Sequence, residues 1–111
     1  MEIEVHQRGG ILGLDRRYVV RDGTIEVIDR GTSRGSRELS SEQRSRIAEL
    51  ASSAADAPVE QHPAPPVSDA METDVAIRHE DGDRRLNVRT GDTAPAAVWD
   101  LIGEVSRASG D

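Results

Sequence analysis

The sequence contains no cysteine, no phenylalanine and no lysine, and its only aromatic residues are Tyr18 and Trp99. Without cysteine there is no disulfide framework and no classical zinc finger, and the redox compartment leaves no trace in the chain. Without phenylalanine the core has to be assembled from Val, Ile, Leu and Ala. Hydrophobic residues make up 35% of the chain, against roughly 45–50% in an average domain when glycine is counted, so that core is small. No apolar run approaches the roughly 20 residues of a membrane-spanning helix. The opening Met1-Glu2-Ile3-Glu4 lacks the basic and apolar regions of a signal peptide, and a cytoplasmic protein is expected. At 111 residues the chain is read as a single domain, 1–111, long enough to fold without covalent staples.

Because lysine is absent, all 14 basic residues are arginine; against 21 acidic residues they leave a net charge of −7. Phosphate attraction supplies most non-specific affinity for nucleic acids, so this balance argues against a nucleic-acid partner. Nothing in the composition calls for a membrane or a cofactor. A monomer is the expected form.

Glu2-Ile3-Glu4-Val5-His6 alternates polar and apolar residues, the period of a half-buried strand. Two further stretches, Arg16 to Arg21 and Thr24 to Asp29, flank Asp22-Gly23, the dipeptide favoured where both central residues of a hairpin turn need positive φ. A two-residue turn there sets Val20 opposite Ile25, Tyr18 opposite Val27 and Arg16 opposite Asp29, so apolar pairs share one face and opposite charges meet. Arg30 to Arg37 is rich in Gly, Ser and Arg. It has the cations to bind an anion or RNA, but with no interleaved aromatics and an acidic chain around it, it reads as a mobile connector.

Ser40 and Gln43 form the capping-box pattern of a helix start, and Ile47, Leu50, Ala51 and Ala54 follow as one apolar stripe. Residues 55–70 hold Pro58, Pro63, Pro65 and Pro66, which excludes a helix or central strand and predicts an extended surface loop. Met71 to His79 and Arg84 to Thr90 flank Asp81-Gly82, a second hairpin pattern, which would set Ile77 opposite Leu86, Val75 opposite Val88, and Arg78 opposite Arg85. Thr93-Ala94-Pro95 opens a last helix with Val98, Leu101, Ile102 and Val105 on its apolar face and Trp99 on the flank. Residues 106–111 are expected to fray. The expected fold is α+β: a mostly antiparallel sheet of about five strands with two helices packed on one face, in the order β-β-β-α-loop-β-β-α.

No residue pattern calls for catalysis. His6, His62 and His79 lack metal-ligand spacing, and Glu80-Asp81-Gly82-Asp83 lacks the alternating ligands of a calcium loop. Gly31-Thr32-Ser33-Arg34-Gly35 has the spacing of a Gly-x-Ser-x-Gly motif, but no helix follows it directly, so it lacks the strand-to-helix turn of a nucleophile elbow. The costly feature is Gly9-Gly10-Ile11-Leu12-Gly13-Leu14. Glycine loses more backbone entropy on folding than any other residue, so three of them imply unusual backbone angles. Such a segment either tucks its aliphatics into the core through a bulge or crossover, or presents Ile11 and Leu12 as an anchor for a partner.

The segment Arg8-Gly9-Gly10-Ile11-Leu12-Gly13-Leu14, followed by Arg16-Arg17-Tyr18-Val19-Val20, resembles the start of the emfourin family, small protein inhibitors of protealysin and related thermolysin-like zinc metallopeptidases. The order of elements resembles that family over nearly the whole chain. The chain departs from the family pattern at Arg8, which directly precedes Gly9, at Ile11, where an aromatic is common, and at Met71. The resemblance implies a stoichiometric inhibitor with no catalysis of its own, which occludes a thermolysin-like metallopeptidase through Arg8, Gly9, Gly10, Ile11, Leu12, Gly13 and Leu14. Outside that resemblance, the residues themselves leave a small regulatory or scaffold module binding another protein or a small ligand as the alternative.

Overall fold

The computed structural model describes residues 2–9, 13–56, 71–79, 82–89 and 96–110. Their elements follow the order β1 (Glu2–Gly9), β2 (Leu14–Arg21), β3 (Thr24–Asp29), β4 (Thr32–Glu38), α1 (Ser41–Ala55), β5 (Met71–His79), β6 (Gly82–Arg89) and α2 (Ala96–Ala108). The strands form one antiparallel sheet in the order β4-β3-β2-β1-β5-β6.

Alternation in β1 decides the two faces. Ile3 stands between Val20 and Ile77, and Val5 between Tyr18 and Val75, so one apolar face runs through three strands. Ile25, Leu86 and Val88 extend it to β3 and β6. Against this face pack Ile47, Ala51 and Ala54 of α1 and Val98, Leu101, Ile102, Val105 and Ala108 of α2, forming a single aliphatic core. The opposite face carries Glu2, Glu4, His6 and Arg8 of β1, none of them buried. Both helices therefore cover one side of the sheet, as the apolar stripes require.

The first hairpin has the expected register, with Val20 opposite Ile25, Tyr18 opposite Val27 and Arg16 opposite Asp29. Asp22 (φ 50°) and Gly23 (φ 77°) both occupy the left-handed region that such a turn demands. The second hairpin differs. Val75 faces Leu86 rather than Val88, and His79 faces Gly82, so the two-residue connection is 80–81, outside the described residues, and not Asp81-Gly82. A slip of two residues keeps every side chain on its face. It sets Arg78 opposite Asp83 in place of Arg85, and Glu72 opposite Arg89, exchanging a like-charge neighbour for opposite charges.

A sixth strand stands where a connector is expected. Arg30 (φ 53°) and Gly31 (φ 81°) form a second two-residue turn with both φ positive, and β4 returns along β3 as far as Glu38 opposite Thr24. Every residue of β4 is exposed. With one edge in solvent and no side chain in the core, the strand needs no apolar period. Arg34 is the extra residue of a β-bulge between Ser33 and Gly35, and it interrupts this open edge.

The helix ends follow local chemistry. Ser40 Oγ accepts from the Gln43 amide at 3.1 Å, and Gln43 Oε1 accepts from the Ser40 amide at 2.9 Å. Glu104 of α2 joins the helices, accepting from Arg46 of α1 at 3.1 Å and from Arg107 at 2.8 Å. Ala55 belongs to α1 and Asp56 caps it; the rest of the proline-rich stretch and Thr93-Ala94-Pro95 lie outside the described residues. The C-terminus does not fray at residue 106. Ser106 to Ala108 complete α2, Ala108 and Ser109 are buried, and Ser109 Oγ donates to the Ser106 carbonyl at 2.6 Å.

Replacing Ser40 with Ala removes one half of the capping box and is expected to cost about 1 kcal/mol, a fall in Tm of about 4 °C for a domain of this size, readable by thermal circular dichroism.

Candidate functional site

An antiparallel meander collects alternate strand ends at the two ends of the sheet. Here Gly9, Leu14, Asp29, Thr32, Met71 and Arg89 all fall at one end. The strand ends that flank the glycine-rich connection, the Arg30-Gly31 turn and the start of β5 thus share one end of the sheet, although the sequence separates them widely. The backbone joins two of them directly, since the Arg30 amide donates to the Asp15 carbonyl at 2.9 Å.

Of the seven residues expected to bind a partner, Gly10, Ile11 and Leu12 lie outside the described residues. The remaining four define the feet of the loop. Gly9 pairs with Leu14 on one side and Met71 on the other, at φ 96°. Gly13 sits at φ 64°, and a Cβ added there would meet nothing within 4 Å, so backbone angle and not space accounts for the glycine. Leu14 is half-buried at the start of β2. Arg8 reaches across to β5, 2.5 Å from Asp74 Oδ2 and 3.7 Å from Glu72 Oε2, and so ties β1 to β5.

The open face of the sheet beneath these feet is a lattice of ion pairs. Arg17 lies 3.0 Å from Glu4, and Arg21 donates to Glu2 at 2.7 Å. His6 Nε2 lies 2.6 Å from Asp15 Oδ1, and Arg17 Nη2 is 3.5 Å from His6 Nδ1. Asn87 Nδ2 donates to both Asp74 and Glu72, at 2.5 and 3.1 Å. Glu4, His6, Arg17, Asp74, Arg78 and Asn87 border a shallow depression of about 360 Å³.

The carboxyls that shift all shift downward. The hydrogen bond from His6 holds Asp15 below the usual carboxylate range, the hydrogen bond from Arg21 does so for Glu2, and that from Arg107, then Arg46, for Glu104. This is the behaviour of ion pairs. A carboxylic acid kept protonated for general acid chemistry shifts the other way. Among the described residues no group of three or more His, Asp or Glu side chains is arranged to hold a metal ion.

One cluster beside the loop stands apart from this balanced lattice. Arg16 of β2, Arg30 of the turn and Arg34 of the bulge stand around Asp29, the one carboxylate among the described residues of that lining. With Leu14 and Thr32 they line a depression of about 500 Å³. Asp29 Oδ2 lies 3.9 Å from Arg16 and 3.6 Å from Arg34. The expected hairpin register already sets Arg16 opposite Asp29, next to Arg30; sequence reasoning cannot add Arg34, because the turn and the bulge that bring it back carry no apolar pattern.

Comparison with known proteins finds no matching family model, no similar curated protein and no similar solved structure. Among the described residues no helix is long and apolar enough to cross a membrane.

Carboxyls with lowered values bind protons less readily when folded than when unfolded. Their ion pairs stabilise the fold fully above the ordinary carboxylate range, around pH 4, and lose that contribution as pH falls through their lower folded values. Asp15→Asn is therefore expected to reduce the loss of Tm between about pH 6 and about pH 3; a loss equal to that of the parent protein would show that the His6–Asp15 pair contributes nothing.

Proposed function

We propose that this chain is a protein inhibitor of a thermolysin-like zinc metallopeptidase, which it blocks stoichiometrically by placing the β1–β2 connection across the active-site cleft. The observation that carries the proposal is the foundation of that connection. Its feet, Gly9 and Gly13, have left-handed backbone angles, and they spring from paired strands in the middle of the sheet. A connection anchored on both sides loses little chain entropy when it binds, which is how a short loop reaches high affinity.

The emfourin-like segment supports the choice of target. Between the feet the sequence supplies Ile11 and Leu12, and thermolysin-like enzymes favour a bulky aliphatic or aromatic residue on the primed side of the scissile bond. Arg8 then serves as a brace, holding β1 against β5 through Asp74 and Glu72, and Leu14 as the apolar root of the loop. With no cysteine in the chain, any group approaching the catalytic zinc is a carboxylate, an imidazole or a backbone carbonyl.

Titration of the protein into a fixed amount of a thermolysin-like peptidase, followed by cleavage of a peptide substrate, is expected to abolish activity near equimolar addition. The double variant Ile11→Ser, Leu12→Ser, with an unchanged circular dichroism spectrum, is expected to inhibit about 100-fold more weakly, the loss of one well-buried aliphatic anchor. Full activity across several such peptidases, with the added protein folded and undigested, would replace this reading with that of a regulatory or scaffold module.

A further inference from the structure

Arg16, Arg30 and Arg34, from three separate elements, line one depression with Asp29, and Arg30 and Arg34 stand there as exposed cations in a chain whose net charge is −7. We propose that this cluster is a docking site for an acidic segment of a partner protein, one that presents Asp or Glu side chains beside the β1–β2 connection. The site lies outside the loop and does not rest on the peptidase reading.

The charges are set up to bind outward. Elsewhere on the sheet each exposed arginine of the central strands has a carboxylate close by: Arg8 has Asp74, Arg17 has Glu4, Arg21 has Glu2. In the cluster, Arg34 has only the shared Asp29, at 3.6 Å, and its side chain is 68% exposed. Arg30 takes part in no ion pair among the described residues. Its placement is specific. A positive φ is uncommon for a bulky side chain, and the I′-type turn that imposes it fixes the direction in which Arg30 leaves the backbone. The bulge does the same for Arg34, because an extra residue in one strand re-aims the side chain it carries.

The shape of the depression selects among anions. Arginine forks pair with carboxylates and phosphates alike, but Leu14 forms part of the lining, and Thr32 adds a hydroxyl. A carboxylate on an aliphatic stem can lay its methylenes on Leu14 while its oxygens meet the guanidinium groups. Inorganic phosphate has no stem to place there. A long polyanion meets the repulsion of the whole acidic molecule, whereas a short acidic segment feels chiefly the charges within a Debye length of about 8 Å. The interruption of the β4 edge by the bulge argues against a partner added as a further strand and in favour of side-chain recognition.

The test is a titration of the isotope-labelled full chain with a hexaglutamate peptide at low ionic strength, followed by amide NMR shifts. Shifts concentrated at Arg16, Arg30, Gly31, Thr32 and Arg34, absent with hexalysine and reduced by about 0.3 M salt, are the expected result. The double variant Arg30→Asn, Arg34→Ser keeps Arg16 beside Asp29 and places at position 30 a residue that tolerates the left-handed region. It is expected to bind the peptide about tenfold more weakly with its other amide positions unchanged. Should that variant fail to fold, Arg34→Ser alone serves, and the map on the parent protein decides the matter without either. Shifts spread over the open face, no shifts at the cluster, or stronger shifts there with inorganic phosphate than with the peptide would each overturn the proposal. Failure of the peptidase titration would leave it standing.

Discussion

Ile3 faces Val20 and Ile77 across the sheet, Val5 faces Tyr18 and Val75, and that double pairing is what the rest of the molecule is built around. Two aromatics cannot fill a core, so its cohesion comes from many small contacts between close-packed branched side chains. Such packing tolerates no error in register, because a slip of one residue would turn Ile3 and Val5 toward water and Glu4 toward the helices. β1 pairs along its whole length with both β2 and β5. The strand that carries the centre of the aliphatic rows is thus held in register from both edges.

The same parity produces the charged face. Once odd-numbered positions of β1 face the helices, Glu2, Glu4, His6 and Arg8 must face away, and so must the charged residues opposite them on β2 and β5. The ion-pair lattice is therefore a by-product of burying the other side. What differs from it is the end of the sheet where the glycine-rich connection and the Arg30-Gly31 turn meet. There the backbone is bent by residues with positive φ, and side chains are aimed by turns and a bulge instead of by the pleat.

How far the sequence can be read follows from this division. Wherever a residue has a buried partner, its pattern is visible: the first hairpin register, the capping box at Ser40 and the stripes of both helices all follow from alternation, the 3.6-residue period or a local hydrogen bond. β4 is invisible, because Thr-Ser-Arg-Gly-Ser-Arg-Glu buries nothing and so has no reason to alternate. In the second hairpin, Asp81-Gly82 looks like a turn, yet the glycine opens β6 at φ 142°, a conformation closed to other residues. Charge opposition between Arg78 and Asp83 agrees with the register adopted, and a turn dipeptide alone could not reveal it. The glycine-rich feet of the loop are legible as a cost without a local explanation. The arginine cluster is legible only in part: the first hairpin register sets Arg16 opposite Asp29 beside Arg30, but the turn and bulge that return Arg34 to them carry no pattern.

The strand order also has a consequence in time. Every neighbouring pair in the sheet is consecutive in the chain except β1 and β5. The four-strand meander and the β5–β6 hairpin can each assemble from local contacts, which form within microseconds. Joining them requires β5 to find β1 across the whole span of β2, β3, β4 and α1, and loop closure makes that encounter the slow one. The transition state for folding should then be the moment at which Ile77 and Val75 settle beside Ile3 and Val5. Before it, the chain exists as two halves, each with an exposed aliphatic edge, and this is the interval in which the protein is most open to mispairing.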